Sequence, residues 1–213
     1  MKKSEFFHIL IAIIAMTLML LFAYREESLE KILIALVSPL IIISISILAK
    51  KITANKLEIN IENKIWNFKR YGLNKDSEFK KPIPLGLILP LLLSFLSAGI
   101  IKFFAFLQFE SRALPSKVTK KYGKSRFSTV LDWDDALIAF YGIIPLLCLA
   151  LISKFISTSY SPFQELSRLA FYYTLPSLIP FGQLDGMKLF MGSRNLYILA
   201  LILFAIAGAI VLI

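Results

Sequence analysis

A chain of 213 residues that is 57% hydrophobic, with a mean hydropathy of +0.73, is too apolar for an ordinary water-soluble domain. The net charge of +10 comes from 24 Lys and Arg against 14 Asp and Glu, yet most of these cations lie between apolar runs, which points to lipid headgroups and topology and excludes a nucleic-acid reading. The one cysteine, Cys148, sits inside an apolar run, so the chain has no internal disulfide framework.

The first run, Phe6–Tyr24, follows Lys2 and Lys3 as a signal peptide would. It is longer than the roughly 7–15 residues of a signal-peptide core, and Tyr24-Arg25-Glu26-Glu27 is a poor cleavage site, so a retained helix is expected. The later runs are Ile32–Ala49, Ile83–Phe109, Ala136–Phe155, a shorter Leu169–Ile179 within a fifth element Glu165–Ile179, and Leu196–Ile213. A crossing helix needs about 20 residues, and all but the fifth run are taken as crossing. In the fifth, Pro176 and Pro180 break the backbone ladder, which is tolerated at membrane depth only where protein or a cavity shields it. That element is therefore expected inside the bundle, and Pro39 and Pro90 are expected to kink or locally unwind their helices. The predicted fold class is an all-α membrane protein: a single domain, multi-pass in the cell membrane, with about six transmembrane helices and a small β-hairpin between the second and third.

The hairpin is expected in the segment Lys50–Lys81, which carries nine cations. Leu57-Glu58-Ile59-Asn60-Ile61 alternates with period two, Glu62-Asn63-Lys64 suits a turn, and Ile65-Trp66-Asn67-Phe68 suits a returning strand, with Trp and Lys at the headgroups. A second basic segment, Arg112–Arg126, carries six cations and leads to Asp132-Trp133-Asp134-Asp135, acidic residues that favour a helix start. With six crossings, Lys and Arg number 12 on the N-terminal side and 10 opposite, so the positive-inside rule barely discriminates. Placing the N-terminus inside keeps the most basic segment in the cytosol.

Two stretches carry a resemblance. The second run ends Ser46-Ile47-Leu48-Ala49-Lys50-Lys51, and after the basic segment comes Lys81-Pro82-Ile83-Pro84-Leu85-Gly86. Near the C-terminus the chain reads Leu175-Pro176-Ser177-Leu178-Ile179-Pro180-Phe181-Gly182-Gln183-Leu184-Asp185-Gly186. The order of elements and the late Leu-Asp-Gly resemble the archaeal-type branch of the site-2 proteases, intramembrane zinc metalloproteases in which that Asp is the third zinc ligand. Asp185 matches it. Where that family has His-Glu-x-x-His, this chain has Ser46, Ile47 and Lys50, so both imidazoles and the general-base carboxylate are missing. Gly142 in Tyr141-Gly142-Ile143-Ile144-Pro145 matches a family Gly whose adjacent Pro and nearby Asn are absent, and Ser177 stands where the late motif has Asn. The only histidine, His8, has no carboxylate at ligand spacing and reads as an interfacial residue.

The resemblance therefore implies a protein that has lost its catalytic residues and its metal, which leans away from an enzyme and toward a regulator, an adaptor or an assembly subunit with no cofactor. Its partners are membrane lipids and a membrane protein or peptide, captured by strand addition on Leu57–Ile61 in the former substrate groove. Two other readings stand beside it. One is an active metalloprotease with atypical zinc ligands. The other is a small transporter or channel subunit, motivated by Lys102, Arg168 and Asp185 in or beside apolar runs. The position match makes Lys50 and Asp185 a possible ion pair, because an unpaired buried carboxylate is costly. The alternative is that Lys50 snorkels to the headgroups while Asp185 is hydrated in a turn.

Overall fold

The structure, a computed structural model, describes residues 3–24, 29–70, 78–114, 130–157 and 162–212. Seven helices are present among them: α1 Lys3–Ala23, α2 Leu29–Lys56, α3 Leu85–Leu96, α4 Asp132–Ile156, α5 Pro162–Leu178, α6 Asp185–Gly192 and α7 Arg194–Leu212. Four short strands, β1 Ile59–Ile65, β2 Phe68–Arg70, β3 Glu78–Ile83 and β4 Leu107–Ala113, form two antiparallel pairs, β1 with β4 and β2 with β3. The chain is a helical membrane protein, but among the described residues four helices, not six, are long and apolar enough to cross: α1, α2, α4 and α7.

The buried centre is α4, which packs on α2, α5, α6 and α7. In its apolar window 56% of residues are buried, against 22% in α7, which turns most of its Ile and Leu side chains outward. Its first turn holds Asp132, Asp134 and Asp135, favourable at the positive end of the helix dipole. α5 carries Pro176 in its last turn and touches α2, α4, α6 and α7; Ser167, Leu169, Ala170, Phe171, Tyr173 and Thr174 are all buried.

The largest departure from expectation is the run Ile83–Phe109. Helix covers only Leu85–Leu96, a rise of roughly 18 Å that falls short of the roughly 30 Å hydrocarbon core. It stops where Ala98 (φ 51°) and Gly99 (φ 84°) adopt left-handed backbone and the Gly99 N–H donates to Ser94 O at 2.7 Å, a six-to-one closing bond of the Schellman type. The turn lies on the far end of α1: Phe95 stacks on Phe22 at 5.8 Å, and a Cβ on Gly99 would stand 2.7 Å from Ala23 Cα. Residues 100–106 then return as irregular chain, with Phe104, Ala105 and Phe106 buried, into β4. The segment is re-entrant. Composition cannot distinguish this from a crossing, since a shielded return path is as apolar as a helix.

The expected hairpin at Lys56–Phe68 is also corrected. β1 runs without reversal through Glu62-Asn63-Lys64, with Ile59, Ile61, Asn63 and Ile65 buried on one face. Asn63 suggests a turn because it is polar, but it is buried by a partner the local sequence does not contain: Glu5 of α1 accepts from Asn63 Nδ2 at 3.0 Å, from its backbone N–H at 3.3 Å, and from Lys51. The strand that pairs with β1 is β4, from Ile59 opposite Ala113 to Ile65 opposite Leu107. A local antiparallel pair does precede α3, but it is β2 with β3.

These pairings put the start of α1, the end of α2, the β1–β4 sheet, the start of α4, α6 and the start of α7 at one end of the bundle. The ends of α1, α4 and α7 and the start of α5 lie at the other. The basic segments Lys50–Lys81 and Arg112–Arg126 both connect elements of the first end, so the near-even tally of a six-crossing chain does not apply. Residues 115–129, most of the second segment, lie outside the described residues.

Candidate functional site

Lys50 lies two turns before the end of α2 and Asp185 is the first residue of α6, 135 positions later. Lys50 Nζ donates to Asp185 Oδ2 in a buried salt bridge, with the two side chains 6% and 3% exposed. Asp185 is thus not hydrated in a turn, and Lys50 does not reach the headgroups. Two small residues make the meeting possible. A Cβ on Gly142 of α4 would stand 2.6 Å from Lys50 Cε and 2.8 Å from its Cγ, so the bare backbone there provides the channel for the lysine stem. A Cβ on Gly186 would come within 2.6 Å of Leu178 C, so glycine lets the first turn of α6 lie on the end of α5. Leu184 is buried against Trp66, and each residue of Leu184-Asp185-Gly186 therefore has a packing role.

The pair belongs to a larger cluster. Lys188, one turn beyond Asp185, reaches Asp135 Oδ2 at 3.3 Å and donates to the backbone O of Phe109 in β4 at 2.6 Å. Two ammoniums lie near the buried Phe109 ring, Lys188 at 3.6 Å and Lys50 at 5.6 Å from its centroid. Burial holds the Lys188 ammonium below the usual lysine pKa, against the opposing pull of Asp135 and Asp185. Asp185 Oδ1 is buried without a hydrogen-bond partner among the described residues. The other motif positions flank the pair on α2, where Ser46 and Ile47 are buried. Ser177 is half-buried on the last turn of α5.

Zinc, the metal implied by the resemblance, does not fit these residues. Among the described residues no three His, Cys, Asp or Glu converge. The Asp185 carboxylate is instead taken by a protonated amine, which has no lone pair to offer a metal and repels a cation. His8 is on α1, whose neighbours are α2, α3 and β1. Lys102 and Arg168 do not join the cluster either. Lys102 donates to Tyr24 Oη at 2.8 Å, Tyr24 donates to Glu165 at 3.0 Å, and Arg168 pairs with Glu165 at 3.3 Å, all at the far end of the bundle.

Beside the cluster, one edge of the sheet has no partner strand among the described residues. In an antiparallel pair, alternate residues direct their N–H and C=O groups outward. The outward set in β1 includes Asn63, whose N–H is taken by Glu5 of α1, while β4 pairs with the other side of β1 from Ile59 to Ile65. The outward set in β4 is Leu107, Phe109, Ser111 and Ala113. Phe109 O is used by Lys188, and among the described residues no second strand lies on the side of β4 opposite β1, where Ser111 and Ala113 direct their N–H and C=O groups. A cavity of about 460 Å³ adjoins this edge, lined by Phe109, Glu110, Ser111, Arg112, Gly182, Gln183 and Lys188. Its polar groups include carboxylate, amide, guanidinium and ammonium beside a strand edge, which suits an extended peptide better than a small apolar ligand. No family model matches the chain, and no curated protein or solved structure is similar to it.

Proposed function

We propose that this chain is a non-catalytic relative of the site-2 proteases, multi-pass in the cell membrane, that binds an extended segment of another membrane protein along the outer edge of β4. The observation that carries this reading is the buried Lys50–Asp185 pair. It joins the position where a protease of that kind would have its second zinc-binding histidine to the position where it would have its third ligand. An ammonium there neutralises the carboxylate as the metal would, while Ile47 supplies no base to activate water. Binding and adaptation are what such a site retains. The partner is a membrane protein or peptide, with membrane lipids around it and no nucleic acid. Both basic segments open at the end where α1 begins, and the positive-inside rule assigns that end to the cytosol.

The test restores what the reading says was lost. In the variant Ser46→His, Ile47→Glu, Lys50→His, purified in detergent, zinc rises to about one per chain and falls back when Asp185→Asn is added. A folded triple variant that binds no zinc removes the resemblance. Strand capture is tested by disulfide crosslinking from Ser111→Cys, in a Cys148→Ser background, to a synthetic transmembrane peptide carrying cysteine at successive positions of its extended flank. Crosslinks at every second position support pairing with β4, and uniform crosslinks reject it.

A further inference from the structure

A second cavity, of about 420 Å³, lies on the bundle surface between the last two turns of α2 and the first half of α4, and neither the ion pair nor the β4 edge uses it. Ala49, Ile52, Leu137 and Pro145 supply apolar walls, while Lys56 and Tyr141 supply the polar groups. The Thr53 hydroxyl is already engaged with Ala49 O at 3.0 Å. α2 and α4 are both long and apolar enough to cross a membrane, and a groove between them would face hydrocarbon along its length and headgroups at its mouth.

Helix polarity aims the two polar groups at one another. Side chains lean toward the N-terminus of their own helix. Lys56 ends α2 and so leans inward along the groove, whereas Tyr141 lies on a helix that begins at this end and so leans outward. Both are exposed, Tyr141 at 48%, and both line the same cavity. The order of groups separates a phospholipid from a partner helix. One exposed ammonium at the mouth, a phenol below it and an apolar floor of Ile52, Leu137 and Pro145 match the phosphate, glycerol and acyl layers of a lipid, whereas a crossing helix would meet them with apolar surface throughout.

We infer that this groove is a binding site for one anionic phospholipid, its phosphate on Lys56, its glycerol region beside the Tyr141 hydroxyl and an acyl chain along Ile52, Leu137 and Pro145. The basic surroundings of this end favour an anionic over a zwitterionic headgroup. This site does not depend on the proposed partner-binding role, and either can fail alone.

The experiment is native mass spectrometry of the full chain, released from micelles containing equal phosphatidylglycerol and phosphatidylcholine. The wild-type chain is expected to retain one phosphatidylglycerol, at least fivefold over phosphatidylcholine. Lys56→Ala is expected to remove most of that preference, and Leu137→Trp, which fills the groove, to remove retention of both lipids. Arg194→Ala, at the same end but outside the groove, is expected to change neither. Equal retention of the two lipids by the wild-type chain, or unchanged preference in Lys56→Ala, overturns the inference. Lys56 is exposed, so its variant also keeps the test decisive if Leu137→Trp fails to fold.

Discussion

The two ends of the bundle each hold a charged network, built on opposite principles. At the end where α1 begins, Lys50 and Asp185 are nearly inaccessible and meet over a single contact, with Gly142 cleared to admit the lysine. At the far end Lys102, Tyr24, Glu165 and Arg168 form a chain in which a phenol links the charges and Arg168 is 39% exposed. Water and headgroups can reach Arg168 in the second network, although Tyr24 at its centre is buried. In the first they reach neither partner, so the same chemistry becomes a fixed structural joint in one place and a partly exposed strap in the other.

The comparison breaks most sharply at Lys50. Lys50→Met strands a buried carboxylate and is expected to destabilise the fold by about 3–5 kcal/mol, read as thermal unfolding in detergent. The double variant Lys50→Met, Asp185→Leu is expected to recover much of that loss. If the double is no more stable than Lys50→Met alone, the pair is not the joint described. A smaller effect is expected of Gly142→Ala, about 1–3 kcal/mol, because the new Cβ collides with a lysine that its ion pair holds in place. The same change should cost less in a Lys50→Ala background, and equal costs in the two backgrounds would place the strain elsewhere. At the far end Tyr24→Phe is expected to cost about 1 kcal/mol, a typical net hydrogen-bond contribution. The smallest effect belongs to Lys64–Glu110, paired at 2.5 Å across β1 and β4 but 29% and 41% exposed. Lys64→Met should change stability by at most about 1 kcal/mol, with any change fading as salt is raised.

What the sequence revealed depended on the range of each interaction. Long apolar runs with charged flanks made the crossing helices legible, since their cause is local. The β1 strand was legible at Ile59 and Ile61 for the same reason, but its continuation through Asn63 was not, because Glu5 lies 58 residues away. α3 was read as crossing because hydropathy registers burial and is blind to direction. At the site, Ser46, Ile47, Lys50 and Asp185 were singled out by motif position alone. Lys188 was missed although its spacing of three from Asp185 puts both on one helix face, a signal the sequence contains. Phe109 and Asp135 carried no such signal, since β4 and α4 bring them in only through the tertiary fold.

The re-entrant segment has a consequence for biogenesis. Ile83–Phe109 is apolar enough that the insertion machinery, sampling it as it leaves the ribosome, has every reason to pass it through the bilayer. Doing so would place Arg112–Arg126 on the far side and invert every later helix. By the positive-inside rule the six cations of Arg112–Arg126 oppose that inversion, a bias read directly as the share of inverted chains when they are replaced by glutamine.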